Sequence, residues 1–269
     1  MAIPANALVA PFDAIADRYD KTFTDSVIGR AQRDAVWKEL AATFHSGEHV
    51  FEIGCGTGVD ACFLAERGVS VIASDSSSQM IEVTRRRIAK KPYRNLIEPL
   101  LLTAEGISAL SSHAPFDGAF SNFGALNCVE DLQSLAGDLA RLVKPGGVAF
   151  LCLINRVCVW ELAWYTARGN FQKAFRRLRT AGTTAQIANG VPVHVYYPSV
   201  RTLSRAFKPE FELQLTRGIG LVVPPSYLEP WACRHPHFMQ LAAKVDETFS
   251  RFPGIRLLAD HVLLKLRRR

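Results

Sequence analysis

The chain has 269 residues, of which 48% are hydrophobic and 21% are charged, and its formal net charge is +7. This length and composition allow a large apolar core, so disorder and low complexity are not expected. Residues 1–150 carry 14 basic and 18 acidic side chains, whereas residues 151–269 carry 18 basic and 7 acidic ones. The positive charge therefore lies in the second half, which indicates an anionic partner there.

The start of the chain lacks the basic segment and long apolar core of a secretory signal, and no stretch contains eighteen consecutive apolar residues. The six cysteines lie mostly inside apolar segments rather than at regular framework spacings. That pattern is typical of reduced thiols and requires no disulfide. We expect a cytoplasmic protein.

The first half alternates between short apolar segments and segments of helical periodicity, which predicts a parallel β-sheet. The predicted strands are His49–Ile53, Val69–Ala73, Leu100–Thr103, Asp117–Ser121 and Gly147–Ile154. A helix that Gly68 ends should follow the first strand, and a helix over Gln79–Lys90 should follow the second.

The alternation changes after Ile154. Residues 157–179 predict an amphipathic helix or helix pair, and residues 179–190 have the composition of a loop. The segment 193–197 predicts a short strand, and Ser199 is a candidate cap for a helix that extends to Phe207. Two more strands, at 211–218 and 261–268, flank a helix near Phe238–Phe249 and should join the sheet after this insertion.

A glycine-rich turn follows the first predicted strand in the sequence VFEIGCGTGVD, with Gly54, Gly56 and Gly58 spaced two residues apart. Bare backbone between a strand and a helix lets a ligand approach closely and directs free amide groups at it. Asp75 ends the second strand, where a carboxylate can accept hydrogen bonds from both hydroxyls of a ribose. The spacing differs from the G-x-G-x-x-G of dinucleotide-binding folds, and the glycine pattern alone does not name the ligand; Asp75 indicates the ribose of an adenosine.

Four segments together resemble the successive motifs of the class I S-adenosylmethionine-dependent methyltransferases. They are VFEIGCGTGVD, VIASDSSSQM, FDGAFSNF and LARLVKPGG, and the leader FDAIADRYD is similar to the segment that many small-molecule members fold over the cofactor. The resemblance implies a three-layer α/β/α sandwich with a mostly parallel seven-stranded sheet, an antiparallel last strand and a helical insertion after strand five. It also implies S-adenosyl-L-methionine as cofactor and S-adenosyl-L-homocysteine as product.

On this basis the chain divides into four parts of one structural domain. These are a helical leader over the cofactor at 1–44, the Rossmann-like core at 45–154, a substrate-covering insertion at 155–209, and the final strands and helix at 210–269.

The resemblance assigns cofactor contacts residue by residue. The assigned positions are Tyr19, Glu52, Gly54, Cys55, Gly56, Gly58, Asp75, Ser76, Met80, Ala104, Glu105 and Asn122. Thr103 stands where the family usually has an acid that receives the adenine amino group, so Glu105 is a substitute and Ala104 can offer its backbone amide. Arg18, Arg30 or Arg33 could supply a cation to the cofactor's carboxylate.

Two residues are candidates for catalysis. Asn127 falls where relatives often carry a polar side chain near the methyl donor, and His194 could take a proton because the pKa of histidine lies near neutrality. Both residue types also have common structural roles, as a turn cap and as a packed or exposed strand residue. No metal site is expected, because the only cluster of thiol and imidazole groups, at Cys233–His237, has no partner pair elsewhere.

Three functions therefore remain open. The first is methyl transfer by in-line displacement to an oxygen or nitrogen of a small, partly hydrophobic metabolite. The second is methyl transfer to a membrane lipid or quinone, or to RNA. The basic second half could touch an anionic membrane. No RNA-binding module is recognisable in the sequence, and nucleic acid is not expected as a partner. The third is a non-catalytic cofactor-binding partner protein. The acceptor and the oligomeric state do not follow from the sequence.

Overall fold

The computed structural model describes residues 10–187 and 191–269. The first nine residues of the predicted leader and the last three of the predicted 179–190 loop lie outside the described residues. The helices are α1 (Ala16–Tyr19), α2 (Val27–Ala41), α3 (Val59–Ala65), α4 (Ser78–Ile88), α5 (Leu132–Leu142), α6 (Val159–Thr166), α7 (Phe171–Ala174), α8 (Val200–Phe207), α9 (Glu229–Ala232) and α10 (Pro236–Phe249). The strands are β1 (His49–Ile53), β2 (Ser70–Asp75), β3 (Ile97–Leu101), β4 (Phe116–Ser121), β5 (Val143–Ile154), β6 (Thr183–Ile187), β7 (Val191–Val195), β8 (Phe211–Ile219) and β9 (His261–Arg268).

Seven of these strands form one sheet in the order β3-β2-β1-β4-β5-β9-β8. The pairs among β1 to β5 are parallel, and β9 runs antiparallel to both of its neighbours. Helices pack on both faces of the sheet, as the two main core clusters show. The predicted three-layer fold, with a reversed last strand and two strands added after an insertion, is confirmed.

Adjacent strand residues point to opposite faces of the sheet, which separates the two cores. Phe51 packs in the cluster that contains α5 and α8, whereas Val50 packs in the cluster that contains α2, α3 and α4. Both side chains are fully buried. A third cluster joins Ile28 of α2 to Met239 of α10, with Trp160 of the insertion packed against it.

Several sequence-based bounds were wrong, among them that of the strand expected at 193–197, which runs over Val191–Val195. The third strand was expected at Leu100–Thr103 but runs over Ile97–Leu101, with Pro99 inside it. This strand forms the edge of the sheet, where a proline costs no ladder hydrogen bond on its open side. Residues 183–187 were expected to be a loop but form β6, which pairs with β7 in a separate antiparallel hairpin.

The cap at Ser199 is confirmed, because its side chain accepts a hydrogen bond from the Thr202 amide at the start of α8. Within residues 10–187 and 191–269, no helix combines the length and apolarity that a bilayer crossing requires.

Candidate functional site

A cavity of about 560 Å³ opens where the parallel strands end. In an open α/β sheet, this carboxyl edge is where ligands bind. Residues from the leader, from the loops after β1, β2 and β4, and from the later part of the chain line it. They are Phe12, Ile15, Tyr19, Thr22, Phe23, Gly54, Gly56, Asp75, Ser76, Met80, Asn122, Phe123, Gly124, Ala125, Cys128, Ile154, Arg176, Arg177, Val195, Pro225, Ser226, Tyr227, Asp260 and His261.

The glycine turn forms one wall of this cavity. Gly54, Gly56 and Gly58 have φ angles of 72°, 54° and 75°, in the left-handed region that favours glycine. A Cβ on Gly54 would lie 2.2 Å from the Ala125 Cβ, and one on Gly58 would lie 2.5 Å from Thr84 Cγ2. A Cβ on Gly56 would meet nothing nearer than 3.9 Å. Gly54 and Gly58 are therefore required for two reasons: a side chain would clash with its neighbours, and the backbone has a positive φ. At Gly56 only the positive φ applies, and its backbone is open to a ligand.

Asp75 closes β2 opposite this turn. Its two carboxylate oxygens accept hydrogen bonds of 2.8 Å each from the backbone amides of Gly56 and Ser77. Burial raises the pKa of Asp75, although these amide bonds oppose the shift. Each carboxylate oxygen can accept a further hydrogen bond, so Asp75 has room for two hydroxyl donors.

A group of buried polar side chains lies behind the glycine turn. The Asp60 carboxylate accepts hydrogen bonds from Arg33 at 2.5 Å, from Trp37 at 2.7 Å and from Asn122 at 3.0 Å. Within the described residues, Arg33 Nε, Asn122 Oδ1 and Glu52 Oε2 are buried without a hydrogen-bond partner. Such atoms are costly unless a ligand or water satisfies them. Arg33 Nε can donate to the carboxylate of an amino acid group, and the two oxygens can accept from its ammonium.

Glu52 is the most strongly perturbed acid of this group. Burial raises its pKa well above the usual value, and the nearby Asp60 carboxylate raises it further. A cation brought next to Glu52 would favour its ionised form and reverse the shift. The sequence identified Glu52 and Asn122, but nothing in it marked Asp60 as the residue that holds Arg33 and Asn122 together.

The leader covers the cavity from the other side. Tyr19 lies in the wall, and desolvation raises its pKa to about 12. Of the three arginines considered as cations, Arg33 is buried in the polar group, Arg18 is exposed, and Arg30 makes an exposed ion pair. Arg33 is therefore the one placed beside the glycine turn.

Most of the cofactor positions expected from the sequence meet at this cavity. Those that line it are Tyr19, Gly54, Gly56, Asp75, Ser76, Met80 and Asn122. Cys55 is buried in the turn, and its thiol contacts the Gly56 carbonyl at 3.6 Å. Ala104 and Glu105 begin a short 3-10 helix after β3, Glu105 is exposed, and neither lines the cavity.

The two candidate catalytic residues occupy structural positions. The Asn127 amide donates to the carbonyls of Ile154 at 3.1 Å and Tyr196 at 2.7 Å, and its oxygen accepts from the Ile154 amide at 2.8 Å. It thereby fastens the end of β5 to the β6–β7 hairpin. His194 is exposed on that hairpin, with Nε2 2.8 Å from the Ala181 carbonyl, and it does not line the cavity.

A buried ionic network that the sequence analysis missed forms the far end of the cavity. Arg177 contacts Glu161 at 2.7 Å and Asp260 at 2.8 Å, and Arg176 contacts Glu161 at 2.6 Å. The adjacent His261 has Nδ1 3.3 Å from Asp260. Three distant segments supply these residues, so no local motif could reveal the network.

Comparisons with known proteins agree with this geometry. A family model described as a methyltransferase domain matches residues 50–147. Demethylmenaquinone methyltransferases of Symbiobacterium thermophilum and Clavibacter sepedonicus are 34% and 32% identical over 148 and 143 residues. Each alignment covers 53% of this chain and 56% of the relative, so the chain spans just over half the length of these curated relatives.

A solved structure extends the likeness across the whole chain. The CcbJ methyltransferase from Streptomyces caelestis superimposes with a TM-score of 0.62 and 18% identity, covering 97% of this chain and 98% of that one. At this identity the likeness concerns the fold alone. The sheet order and the glycine turn define a class I, Rossmann-like methyltransferase fold. Within this fold, residues 50–147 match the methyltransferase domain family.

Proposed function

We propose that this protein transfers the methyl group of S-adenosyl-L-methionine to an oxygen or nitrogen of a small, partly apolar acceptor. The observation that carries the proposal is the single cavity of about 560 Å³ that joins the glycine turn and Asp75 to apolar side chains of the leader and of later segments. This volume lies within the usual range of small-molecule sites.

The residues of the cavity and of the polar group behind the glycine turn fit the cofactor. Asp75 would accept hydrogen bonds from the ribose hydroxyls, and the open backbone at Gly56 would lie against the adenosyl group. Met80, buried at the start of α4, would pack against the adenine. The unpartnered atoms of Arg33 and Glu52 would receive the carboxylate and the ammonium of the methionine portion.

When bound, S-adenosylmethionine supplies an activated methyl group on a sulfonium, open to in-line displacement. The protein then has to orient the acceptor and exclude water, and orientation of this kind contributes roughly 7–11 kcal/mol. Phe12 and Phe23 of the leader, with Ile154 and Val195 opposite, provide the apolar walls for that purpose. They favour an acceptor with an apolar portion.

Calorimetry and a transfer assay test this function. We expect S-adenosylhomocysteine to bind the full chain, and we expect label from methyl-tritiated S-adenosylmethionine to appear in a low-molecular-weight product when a metabolite extract is added. Binding without transfer would support the non-catalytic alternative. The absence of binding would refute the cofactor assignment.

One surface favours a second candidate, transfer to an acceptor held in a lipid bilayer. We call it the apolar rim: Phe171, Phe175, Leu178, Leu257 and Leu258, each between 38% and 58% exposed. Its two segments adjoin, because consecutive residues Asn155 and Arg156 donate 2.8 Å hydrogen bonds to the Leu257 and Leu178 carbonyls. Exposed clusters of this kind commonly mark interaction surfaces.

The charge near the apolar rim suits an anionic membrane. Arg168, Lys173 and Arg179 are exposed, and none of the three pairs with a carboxylate among the described residues. Basic residues close to a membrane surface contribute about 1 kcal/mol each to binding of anionic lipid. The rim also adjoins Arg176 and Arg177, which line the cavity.

Vesicle sedimentation tests this second candidate. The protein should bind phosphatidylcholine vesicles that contain phosphatidylglycerol better than pure phosphatidylcholine vesicles. The double variant Phe171→Ser, Phe175→Ser should bind at least about tenfold more weakly because it buries less apolar surface. Leu101→Ser is the matched control, since Leu101 is 55% exposed at the opposite edge of the sheet. Equal binding of wild type and double variant would refute the candidate.

A further inference from the structure

The end of the cavity opposite the glycine turn contains His261, the first residue of β9. Because β9 runs antiparallel to β5, His261 pairs with Ile154, the last residue of β5. The reversed strand thus places its first side chain at the edge where the parallel strands end. The Phe123 ring connects the two ends of the cavity: the Arg33 guanidinium lies 4.7 Å from its centroid, and the His261 ring lies 5.5 Å away, edge to face.

The two nitrogens of the His261 ring have different surroundings. Nδ1 is buried, lies 3.3 Å from Asp260 Oδ2, and makes no hydrogen bond of good geometry within the described residues. No hydrogen bond reaches Nε2 within the described residues, and Nε2 is not one of the buried unpartnered atoms, so part of its surface is open. Since His261 lines the cavity, Nε2 is the nitrogen available to an acceptor.

Asp260 is held in place by two other side chains. Arg177 Nη2 donates to its Oδ1 at 2.8 Å, and Gln32 Nε2 donates to its Oδ2 at 3.3 Å. The Asp260 carboxylate is buried, and its Oδ2 lies 3.3 Å from Nδ1 of His261. A carboxylate in this position favours the tautomer with the proton on Nδ1 and the lone pair on Nε2.

The charges around the cavity also restrict the acceptor. Its lining contains two cations, Arg176 and Arg177, and buried carboxylates neutralise both within the described residues. Asp75 adds negative charge to the same lining. An anionic acceptor would therefore find no free positive partner at this end, whereas a neutral hydroxyl would find a hydrogen-bond acceptor in Nε2.

From this geometry we propose that His261 is the general base of the reaction and that the acceptor carries a neutral hydroxyl group; this inference rests on the proposed function. The acceptor oxygen forms the new O–C bond with a lone pair while the S–C bond breaks and leaves its electron pair on sulfur. The hydroxyl proton moves to Nε2 of His261. The imidazolium is stabilised by Asp260 and then returns its proton to solvent.

The pH dependence follows from the groups that face His261. Burial lowers its pKa below 6.5, the Asp260 carboxylate raises it, and the Arg177 cation lowers it. Phe123, packed against the ring, carries no charge. Only the neutral imidazole can accept the proton, so kcat/KM should fall as the pH drops through a midpoint below 6.5 and stay level above it.

Nitrogen-15 NMR of the histidine-labelled full chain bound to S-adenosylhomocysteine tests the assignment without an acceptor. The signal that disappears in His261→Gln identifies the residue. We expect a neutral ring at pH 7, protonated on Nδ1, with a midpoint below 6.5. An imidazolium at pH 7, or a proton on Nε2, would overturn the proposal.

Kinetics with the acceptor found in the labelled-transfer assay complete the test. His261→Gln should lower kcat by about 10²- to 10⁴-fold and remove the acid limb of the pH profile, while calorimetric affinity for S-adenosylhomocysteine stays within about threefold. The control His45→Gln, an exposed histidine at the amino edge of the sheet, should leave both unchanged. An acceptor methylated on a carboxylate, or an unchanged kcat in His261→Gln, would refute the base. Failure of the wild type to bind S-adenosylhomocysteine would instead refute the proposed function.

Discussion

Replacing Asp75 by alanine should weaken both the cofactor site and the fold, and the two effects can be separated. In the proposed complex, the ribose hydroxyls lose their acceptor, which costs about 1–3 kcal/mol, or about 5- to 150-fold in affinity. The amides of Gly56 and Ser77, each 2.8 Å from the carboxylate, also lose their partner. Because burial already penalises this carboxylate, we expect a net loss of only about 1–3 kcal/mol in the free energy of unfolding.

Calorimetric titration with S-adenosylhomocysteine would measure the loss in affinity, and urea denaturation of the same samples would measure the loss in the free energy of unfolding. Asp75→Asn retains one acceptor oxygen and should fall between wild type and alanine in both assays. Asp17→Ala is the matched control, because Asp17 makes only an exposed ion pair with Arg86. If Asp75→Ala bound the compound as tightly as wild type, Asp75 would not hold the ribose.

The remaining predictions concern packing. Gly58→Ala should destabilise the fold by about 2–4 kcal/mol, because it adds a clash with Thr84 to the cost of a positive φ. Gly47 also has a positive φ, of 88°, but a Cβ there would have nothing within 4 Å, so Gly47→Ala should cost only about 1–2 kcal/mol. Equal urea midpoints for the two variants would contradict this prediction. Asn127→Ala should lower the free energy of unfolding by about 2–4 kcal/mol, since two backbone groups of Ile154 lose their partners, with little change in calorimetric cofactor affinity. A drop in kcat at unchanged stability would instead support a catalytic role for Asn127.

Local patterns in the sequence carried much of the information about the fold. The positions of β1, α4 and β9 followed from apolar periodicity and caps, because burial against a sheet face imposes a period on the chain wherever it occurs. The sequence-based errors concern segments whose conformation depends on their neighbours in the fold. Pro99 is tolerated only because β3 forms an edge, and residues 183–187 became a strand only because β7 offered a partner.

The sequence by itself also located residues at the end of the cavity where we propose that the cofactor binds. Gly54 and Gly56 lie in the turn after β1, and Asp75 is the last residue of β2, so their positions follow from the two strands. The fold decided which of three arginines lies beside the glycine turn, because only the packing of α2 buries Arg33 against Asp60.

Only the tertiary structure determined the end of the cavity where we propose that the acceptor binds. His261 reaches the cavity because its strand is reversed, and Asp260 is oriented by Arg177, which lies 83 positions earlier in the chain. No local pattern encodes a contact between segments so far apart, since it depends on strand order and direction in the sheet. Those same constraints place the two candidates from the sequence elsewhere: His194 is exposed on the hairpin, and Asn127 is hydrogen-bonded to the end of β5.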